Sequence, residues 1–445
     1  MKATSEPTLM KLSFKKGVPR NTLWMILGQG FRFVIQAAYF TVIARSLGAY
    51  NYGAFVGVVA LVGIVFPFGG LGAGNLLIKN VAREHSLFAV YLGRGLLTTL
   101  ASSGVLFFGV MFLSRFLLPS VIPRELVLLV SVSDLVGLNL ITLCGHAFVA
   151  FERLSWTATI NVMISASRLS GALILVSVHR HPTALEWGFL YLYTTAAVTV
   201  GALALVFFKL GWPRFSWRRS IEELREGFYF STSQSAQTIY NDIDKTMLAR
   251  LGTLDATGIY GAAYRLMDVS FVPISSLLAA AYPTFFRKGA NGIRATIGYA
   301  KRLLLHALAY SSVVSICILL FAGLVPYVLG PEYVRTVDAL RWLALLPILK
   351  SVHYFLSDAL TGAGYQGIRT AIQAGVALLN VLLNLWLIPA YSWRGAAWSS
   401  LASDATLASA VAAALFLLSR NARAVNVGEV STCHLPYGVE TLSEP

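Results

Sequence analysis

Charge is scarce in this sequence. Asp, Glu, Lys and Arg make up 12% of its 445 residues, about half the share of an ordinary soluble chain. A large soluble domain is excluded by that shortage, because its solvated surface would need those charges. Cysteine is scarcer still. Cys144, Cys317 and Cys433 are odd in number and far apart, which supports neither a disulfide framework nor a metal cluster and leaves them as small apolar filler. No phosphate-cradling loop ending in G-K-[ST] is present, so ATP is not expected to drive this chain without a partner. Long polar loops are missing too, the longest on the expected outer side lying near residues 326–335. A membrane glycosyltransferase or ligase would need catalytic acids or bases in such a loop. The chain is not read as an enzyme.

What fills the sequence is apolar: 56% of the residues, with a mean hydropathy of +0.68. Apolar runs of about 20–25 residues recur from near residue 22 to residue 419, each long enough to cross a bilayer as a helix. The fold class is therefore all-α, a polytopic membrane protein. We read helices over 22–46, 53–78, 88–113, 125–150, 156–178, 185–208, 227–250, 256–286, 299–325, 336–362, 368–390 and 395–419, about twelve spans in all. The first run is too long for a signal-peptide core and no small-residue cleavage site follows it, so it is expected to stay as a helix.

A formal charge of +15 invites a nucleic-acid reading, but its distribution argues against one. Lys11, Lys15, Lys16 and Arg20 precede the first helix, Lys209, Arg214, Arg218, Arg219 and Arg225 lie mid-chain, and Arg287, Lys288, Arg294, Lys301 and Arg302 surround the start of the ninth. With both termini in the cytoplasm these all fall on the inner side, a positive-inside bias that also suits anionic lipid headgroups. No nucleic-acid partner is expected. The organisation follows: a basic arm at 1–20, a six-helix lobe at 21–210, an amphipathic linker at 211–226, a second six-helix lobe at 227–419 and a polar tail at 420–445.

Polar residues inside such spans are costly and mark cavities or partners. Gln29, Arg32 and Gln36 share a face of the first helix. They are either packing glue between helices or a cavity wall, with Arg32 suited to bidentate phosphate binding. Pro67 and Gly69, Gly70, Gly72 and Gly74 allow bending in the second helix. Asp134, Thr142 and His146 occupy the fourth, and Asn161, Ser165 and Arg168 line the fifth. Arg168 is read either as a second cavity cation or as a structural partner of Asp134. In the seventh helix Gln234, Thr238, Asn241 and Lys245 form one stripe, beside Gln237, Asn241 and Asp244. That face is read either as turned to water or an ion, or as an internal balance of Asp242 and Asp244 with Lys245. Arg265 and Asp268 follow in the eighth, Lys350, His353 and Asp358 in the tenth, and Asn380, Asn384, Ser403, Asp404 and Thr406 in the last two.

The chain also repeats itself. Arg45-Ser46-Leu47-Gly48, then Tyr52-Gly53-Ala54, parallels Arg250-Leu251-Gly252, then Tyr260-Gly261-Ala262, about 205 residues on. Six helices separate the copies, so both run the same way across the membrane. A parallel repeat implies two similar bundles handling cargo between them by alternating access.

The stretches ARSLGAYNYGAF…LGAGNLLIKNVAR and YNDIDKTMLARLGTLDATGIYGAAYRL resemble the Wzx-like polysaccharide flippases of the multidrug/oligosaccharidyl-lipid/polysaccharide (MOP) exporter superfamily, over about residues 20–420. The resemblance implies a MATE-like, V-shaped pair of six-helix lobes in the inner membrane. It also implies export of a polyprenyl-diphosphate-linked oligosaccharide to the outer leaflet for O-antigen, capsule or exopolysaccharide assembly, alongside polymerase or ligase machinery. It places the diphosphate role on Arg32 and Arg265, and more loosely on Arg168 and Lys245, with Gln29, Gln36, Asn241 and Asp268 as polar cavity residues. Na⁺ or H⁺ is the implied coupling ion, and Asp244, Asn380, Asn384 and Thr406 are the candidates for a Na⁺ site. The competing readings are a multidrug extruder on the same fold, which would favour an acidic cavity, and a peptidoglycan-precursor flippase, which would need two further helices.

Overall fold

The computed structural model describes residues 18–215 and 221–431. Among these every regular element is helical. The helices are α1 (Val18–Val65), α2 (Ala73–Val81), α3 (Phe88–Leu117), α4 (Arg124–Ser131), α5 (Asn139–Ala150), α6 (Leu154–Val178), α7 (Ala184–Leu210) and α8 (Ile221–Leu251). Then come α9 (Leu254–Gly289), α10 (Ile293–Phe321), α11 (Val325–Leu329), α12 (Val334–Leu343), α13 (Leu346–Gly362), α14 (Gln366–Tyr391) and α15 (Trp393–Ser431). The basic arm before residue 18 and the tail beyond residue 431 lie outside the described residues.

Nine of the described spans are long and apolar enough to cross a membrane, and ten if the pair Pro331–Leu343 and Leu346–Gly362, bent by 43°, is one span. The chain is a multi-pass membrane protein. The difference from the expected twelve has two visible causes. The first two expected helices run on as α1 across a kink at Gly48, whose φ is 68°, and α8 is too polar to qualify by composition. Residues 221–226, read as the end of a separate amphipathic helix, are the first turns of α8.

The chain divides into two compact units. The first comprises Met1–Leu47, Leu61–Phe116 and Ser120–Ser235; the second, Gly48–Ala60, Leu117–Pro119 and Ala236–Pro445. The division does not fall at residue 210, for a local reason. Arg214 donates its N–H to the Ala89 carbonyl at 2.7 Å, and Glu223 accepts from the Tyr91 hydroxyl at 2.8 Å. Arg214 and the start of α8 are thereby held on α3.

In the first unit Leu77, Leu92, Phe148, Ala202 and Val206 centre the core. α7 starts with a capping box, Thr183 accepting from the Glu186 N–H while Glu186 accepts from that of Thr183, so two orphan amides at that end are satisfied. The second expected helix is broken. After residue 65 the chain passes through a 3₁₀ turn at Phe66–Gly69, Leu71 has φ 41°, and Gly72, at φ 66°, starts α2. A β-carbon at Gly72 would also run into the Gly227 backbone.

In the second unit the core is Ile274, Phe285, Ala300, Phe355, Leu360 and Val411. Lipid gives no hydrophobic reward for bringing helices together, so close packing of small residues decides where they cross. Gly53 and Gly258 make such a crossing. A β-carbon at Gly53 would overlap the Leu254 carbonyl oxygen, and one at Gly258 would overlap the Ala49 carbonyl oxygen. Each glycine thus admits the carbonyl four residues before the other. Gly261, matched to Gly53 by the sequence repeat, packs instead on the Val56 side chain. At the kink beside this crossing the Ala49 N–H donates to Glu332 Oε2 at 2.9 Å.

Candidate functional site

In the second unit charged side chains from α8, α9, α13 and α15 meet where spanning helices should be apolar. α8 brings Tyr240, Asp242, Asp244 and Lys245 within about one and a half turns. Lys245 Nζ contacts Asp242 Oδ1 and lies 4.4 Å from the centre of the Tyr264 ring. Lys350 Nζ lies 5.0 Å from the centre of the same ring. Two buried ammonium groups therefore share one aromatic ring, a favourable contact when desolvated. Lys245 has a carboxylate against it, whereas Lys350 has no ion-pair partner among the described residues. Asp268, one turn beyond Tyr264, acts electrostatically on both lysines and is itself exposed.

A second layer lies beside the first. Asp244 accepts hydrogen bonds from the Tyr260 hydroxyl and, at 3.2 Å, from Ser400. Asp404 accepts from the Tyr240 hydroxyl. His353 Nε2 stands 2.9 Å from Asp404 Oδ1, an ion pair when the ring is protonated, while its Nδ1 is buried with no hydrogen-bond partner. His353 is 2% exposed. A buried ring nitrogen left unsatisfied is costly, so His353 and Lys350 are held against a stability cost, as functional groups in membranes are.

The first unit holds two sites. Arg168 Nη2 is 3.8 Å from Asp134 Oδ1, and its guanidinium lies over the Tyr191 ring, 3.0 Å from the centroid. Tyr191 donates to the same carboxylate at 3.0 Å. Asp134 sits in a π-helical stretch, Val132–Leu138, a local widening found often at functional positions. At the broken helix a cavity of about 200 Å³ is lined by Gly72, Asn75, Asn139, Thr142, His146 and Gln234, among others. His146 Nδ1 is buried there with no hydrogen-bond partner, and a β-carbon at Gly74 would close the space in front of it.

These positions sort the residues read from sequence. Lys245, Asp244 and Asp268 are brought together around Tyr260 and Tyr264, and Asn241 joins through its carbonyl, 3.5 Å from Lys245 Nζ. Arg265 is half-buried beside Tyr264. Arg32 and Gln36 are half-buried on the part of α1 in the first unit; the Gln29 side chain lies outside the described residues. Arg168 is the partner of Asp134. The four Na⁺ candidates each have partners of their own. Asn384 donates to Asn380 at 2.9 Å, Asn380 to Ser403 at 3.1 Å, Asp244 is engaged by Tyr260 and Ser400, and Thr406 is exposed, bonding the Ala402 carbonyl. No group of three His, Cys, Asp or Glu side chains among the described residues could hold a metal. The sequence reading named Lys350, His353 and Asp404 as polar residues within their spans without placing them in the diphosphate site, and it missed Tyr264. The available signal was the i, i+3 spacing of Lys350 and His353, which sets both on one face of α13.

The model of the family described as "Polysaccharide biosynthesis protein" matches residues 18–288. The chain belongs to that family. No curated protein matches it. Among solved structures, the chain is similar to an inward-facing multidrug-resistance MATE family transporter of the MOP superfamily. The TM-score is 0.71 at 14% identity, over 89% of this chain and 99% of that one. It is also similar to the lipid II flippase MurJ in an inward closed conformation, with TM-score 0.70 and 12% identity over 87% of this chain and 86% of that one. A MOP superfamily transporter from Pyrococcus furiosus aligns at TM-score 0.60 and 14% identity, over 91% of this chain and 96% of that one. At these identities the likeness shows the fold. The chain has the MATE-like fold of MOP superfamily transporters.

Proposed function

We propose that the chain carries a polyprenyl-diphosphate-linked oligosaccharide from the cytoplasmic to the outer leaflet of the inner membrane, by alternating access, for surface polysaccharide assembly. The observation that carries this reading is the pair of buried lysines on Tyr264, one of them, Lys350, with no carboxylate within ion-pair distance, Asp268 and Asp404 acting on it from further off. Cations held in a low-dielectric site favour an anionic group over the cationic drugs a multidrug extruder would take. A diphosphate supplies that charge, the glycan needs a polar path, and the lipid tail can stay in the bilayer. The family's link to polysaccharide biosynthesis and the MurJ neighbour, a flippase of lipid II, support the same class of cargo.

The test is leaflet exchange in proteoliposomes loaded with a labelled polyprenyl-diphosphate oligosaccharide and read with a membrane-impermeant reagent. Arg32→Ala, Arg265→Ala and Lys350→Ala should each slow exchange by about a hundredfold, the scale of losing a charge-assisted contact to phosphate, without changing insertion. Normal rates in all three would remove the diphosphate from these residues.

For coupling we favour H⁺ over Na⁺, because Tyr240, Asp404 and His353 form a connected group of proton-exchanging atoms, whereas Thr406 is exposed and bonded to the Ala402 carbonyl. Replacing Na⁺ by K⁺ should then leave the exchange rate unchanged, and collapsing a proton gradient should slow it. His353→Ala should remove that sensitivity. A Na⁺-dependent rate in wild type would overturn the preference.

A further inference from the structure

α12 and the first turns of α15 enclose a concave site that none of the roles above uses. Its cavity of about 540 Å³ is lined by Asp338, Arg341, Trp342, Arg394 and Trp398. The size falls within the range of about 300–1,000 Å³ for ligand pockets. The Trp342 and Trp398 rings stand 5.6 Å apart at 78°, and Tyr391 closes on Trp398 at 5.0 Å. Arg394 is set against the ring of the buried Trp393, 5.4 Å from its centroid. The indole N–H of Trp398 is buried with no hydrogen-bond partner. Arg341 and Asp338 side chains are 55% and 53% exposed at 4.0 Å from each other, which puts the groove in water or headgroups and not in hydrocarbon.

Its place in the second unit follows from tracing the spans. The turns at 252–253 and 391–393 and the connection through α11 lie at one end, because successive spans alternate direction. The turn carrying Arg287, Lys288 and Arg294 lies at the other. By the positive-inside bias the groove faces away from the cytoplasm.

We infer that this groove binds pyranose units of the glycan on the release side of the membrane, an inference that rests on the proposed cargo. Aromatic faces suit the C–H-bearing faces of sugar rings. Two guanidinium groups and a carboxylate supply planar donors and an acceptor for hydroxyls or for a sugar acid, and the free Trp398 N–H offers one more donor. A belt of interfacial tryptophans anchoring the protein would face outward singly; here two indoles and a phenol turn toward one another around a charged concavity. The groove holds the emerging sugar after its diphosphate has left the lysines, which disfavours return.

The experiment titrates full-length protein in nanodiscs with oligosaccharides released by mild acid from the producing cell's own polyprenyl-linked pool, which carry neither lipid nor diphosphate. Wild type should bind them, and Trp342→Ala, Trp398→Ala and Arg394→Ala should each weaken binding by about tenfold or more, as anchor truncations do. Trp386→Ala, a control at an indole 73% exposed that does not line the groove, should bind as wild type does. Trp342 and Arg394 are exposed enough that their variants keep the fold, which the thermal unfolding midpoint checks. Leaflet exchange is measured on the same samples. If wild type exchanges the lipid-linked cargo but the groove variants bind the released glycan unchanged, the groove inference falls and the cargo reading stands. If wild type neither exchanges nor binds, the cargo reading falls and the groove with it. If anionic phospholipid is retained by wild type and lost from Arg341→Ala and Arg394→Ala while glycan binding is unaltered, the occupant is a lipid headgroup and the inference is overturned.

Discussion

Gly258→Ala should slow leaflet exchange by about tenfold or more, the rate equivalent of the ~1–3 kcal/mol that overpacking costs. The size of the effect follows from what the added methyl meets. At Gly258 it meets the Ala49 carbonyl, part of a helix backbone with no rotamer to turn away. The helices must separate at their crossing, and Gly53→Ala should do the same through the Leu254 carbonyl. The double variant should be little worse than either single one, because the first methyl has already opened the gap; shared contacts are where additivity fails. Gly298→Ala is the control, since a β-carbon there meets nothing within 4 Å. Thermal unfolding and exchange rate should both be read. An unchanged midpoint and an unchanged rate in Gly258→Ala would mean that the crossing is loose in the working protein.

Asp134→Ala should be the most destabilising single change in the first unit, by about 3–5 kcal/mol, because it strands a guanidinium that is otherwise balanced. Arg168 is 6% exposed, so water cannot replace the lost carboxylate. Arg168→Met should cost less than Asp134→Ala. It leaves a carboxylate that still accepts from Tyr191 and can take up a proton. Adding Arg168→Met to Asp134→Ala should recover part of the loss, as replacing a whole buried pair by apolar groups often does. Reversible unfolding in mixed detergent measures the series. If Asp134→Ala unfolds like wild type but stops exchange, the pair belongs to the transport cycle and not to the scaffold.

The helical architecture was readable because apolar runs of spanning length leave few alternatives, and the family motif sits on the turns that the repeat picked out. Two parts of the fold were not readable. Nothing in the composition of residues 48–60 assigns them to the second unit; that follows from the close approach at Gly53 and Gly258, which only coordinates reveal. α8 was identified despite its polarity because its stripes are regular. The site was legible by helix and not by partner. Spacing puts Asn241 and Lys245 on one face of α8, and Lys350 and His353 on one face of α13. It is silent about which faces meet, and the meeting point is Tyr264, an aromatic residue with no polar signature in an apolar run. The pairing of Arg168 with Asp134 was open in the sequence for the same reason: charge identifies the partners, and only the packing of their helices brings them to 3.8 Å.

The glycine crossing also bears on how the protein is made. Residues 48–60 leave the ribosome early, yet the chain they pack on, Leu254–Gly258, is about 200 residues behind, a delay of about 10–40 s at ordinary rates of translation. During that interval the first hairpin is in the bilayer with its glycine face uncovered, and the Ala49 N–H waits longer still for Glu332. A nascent chain stalled before α9 therefore displays a small-residue surface able to receive another helix. The second unit closes only when its own late segments arrive to claim that surface ahead of a neighbour.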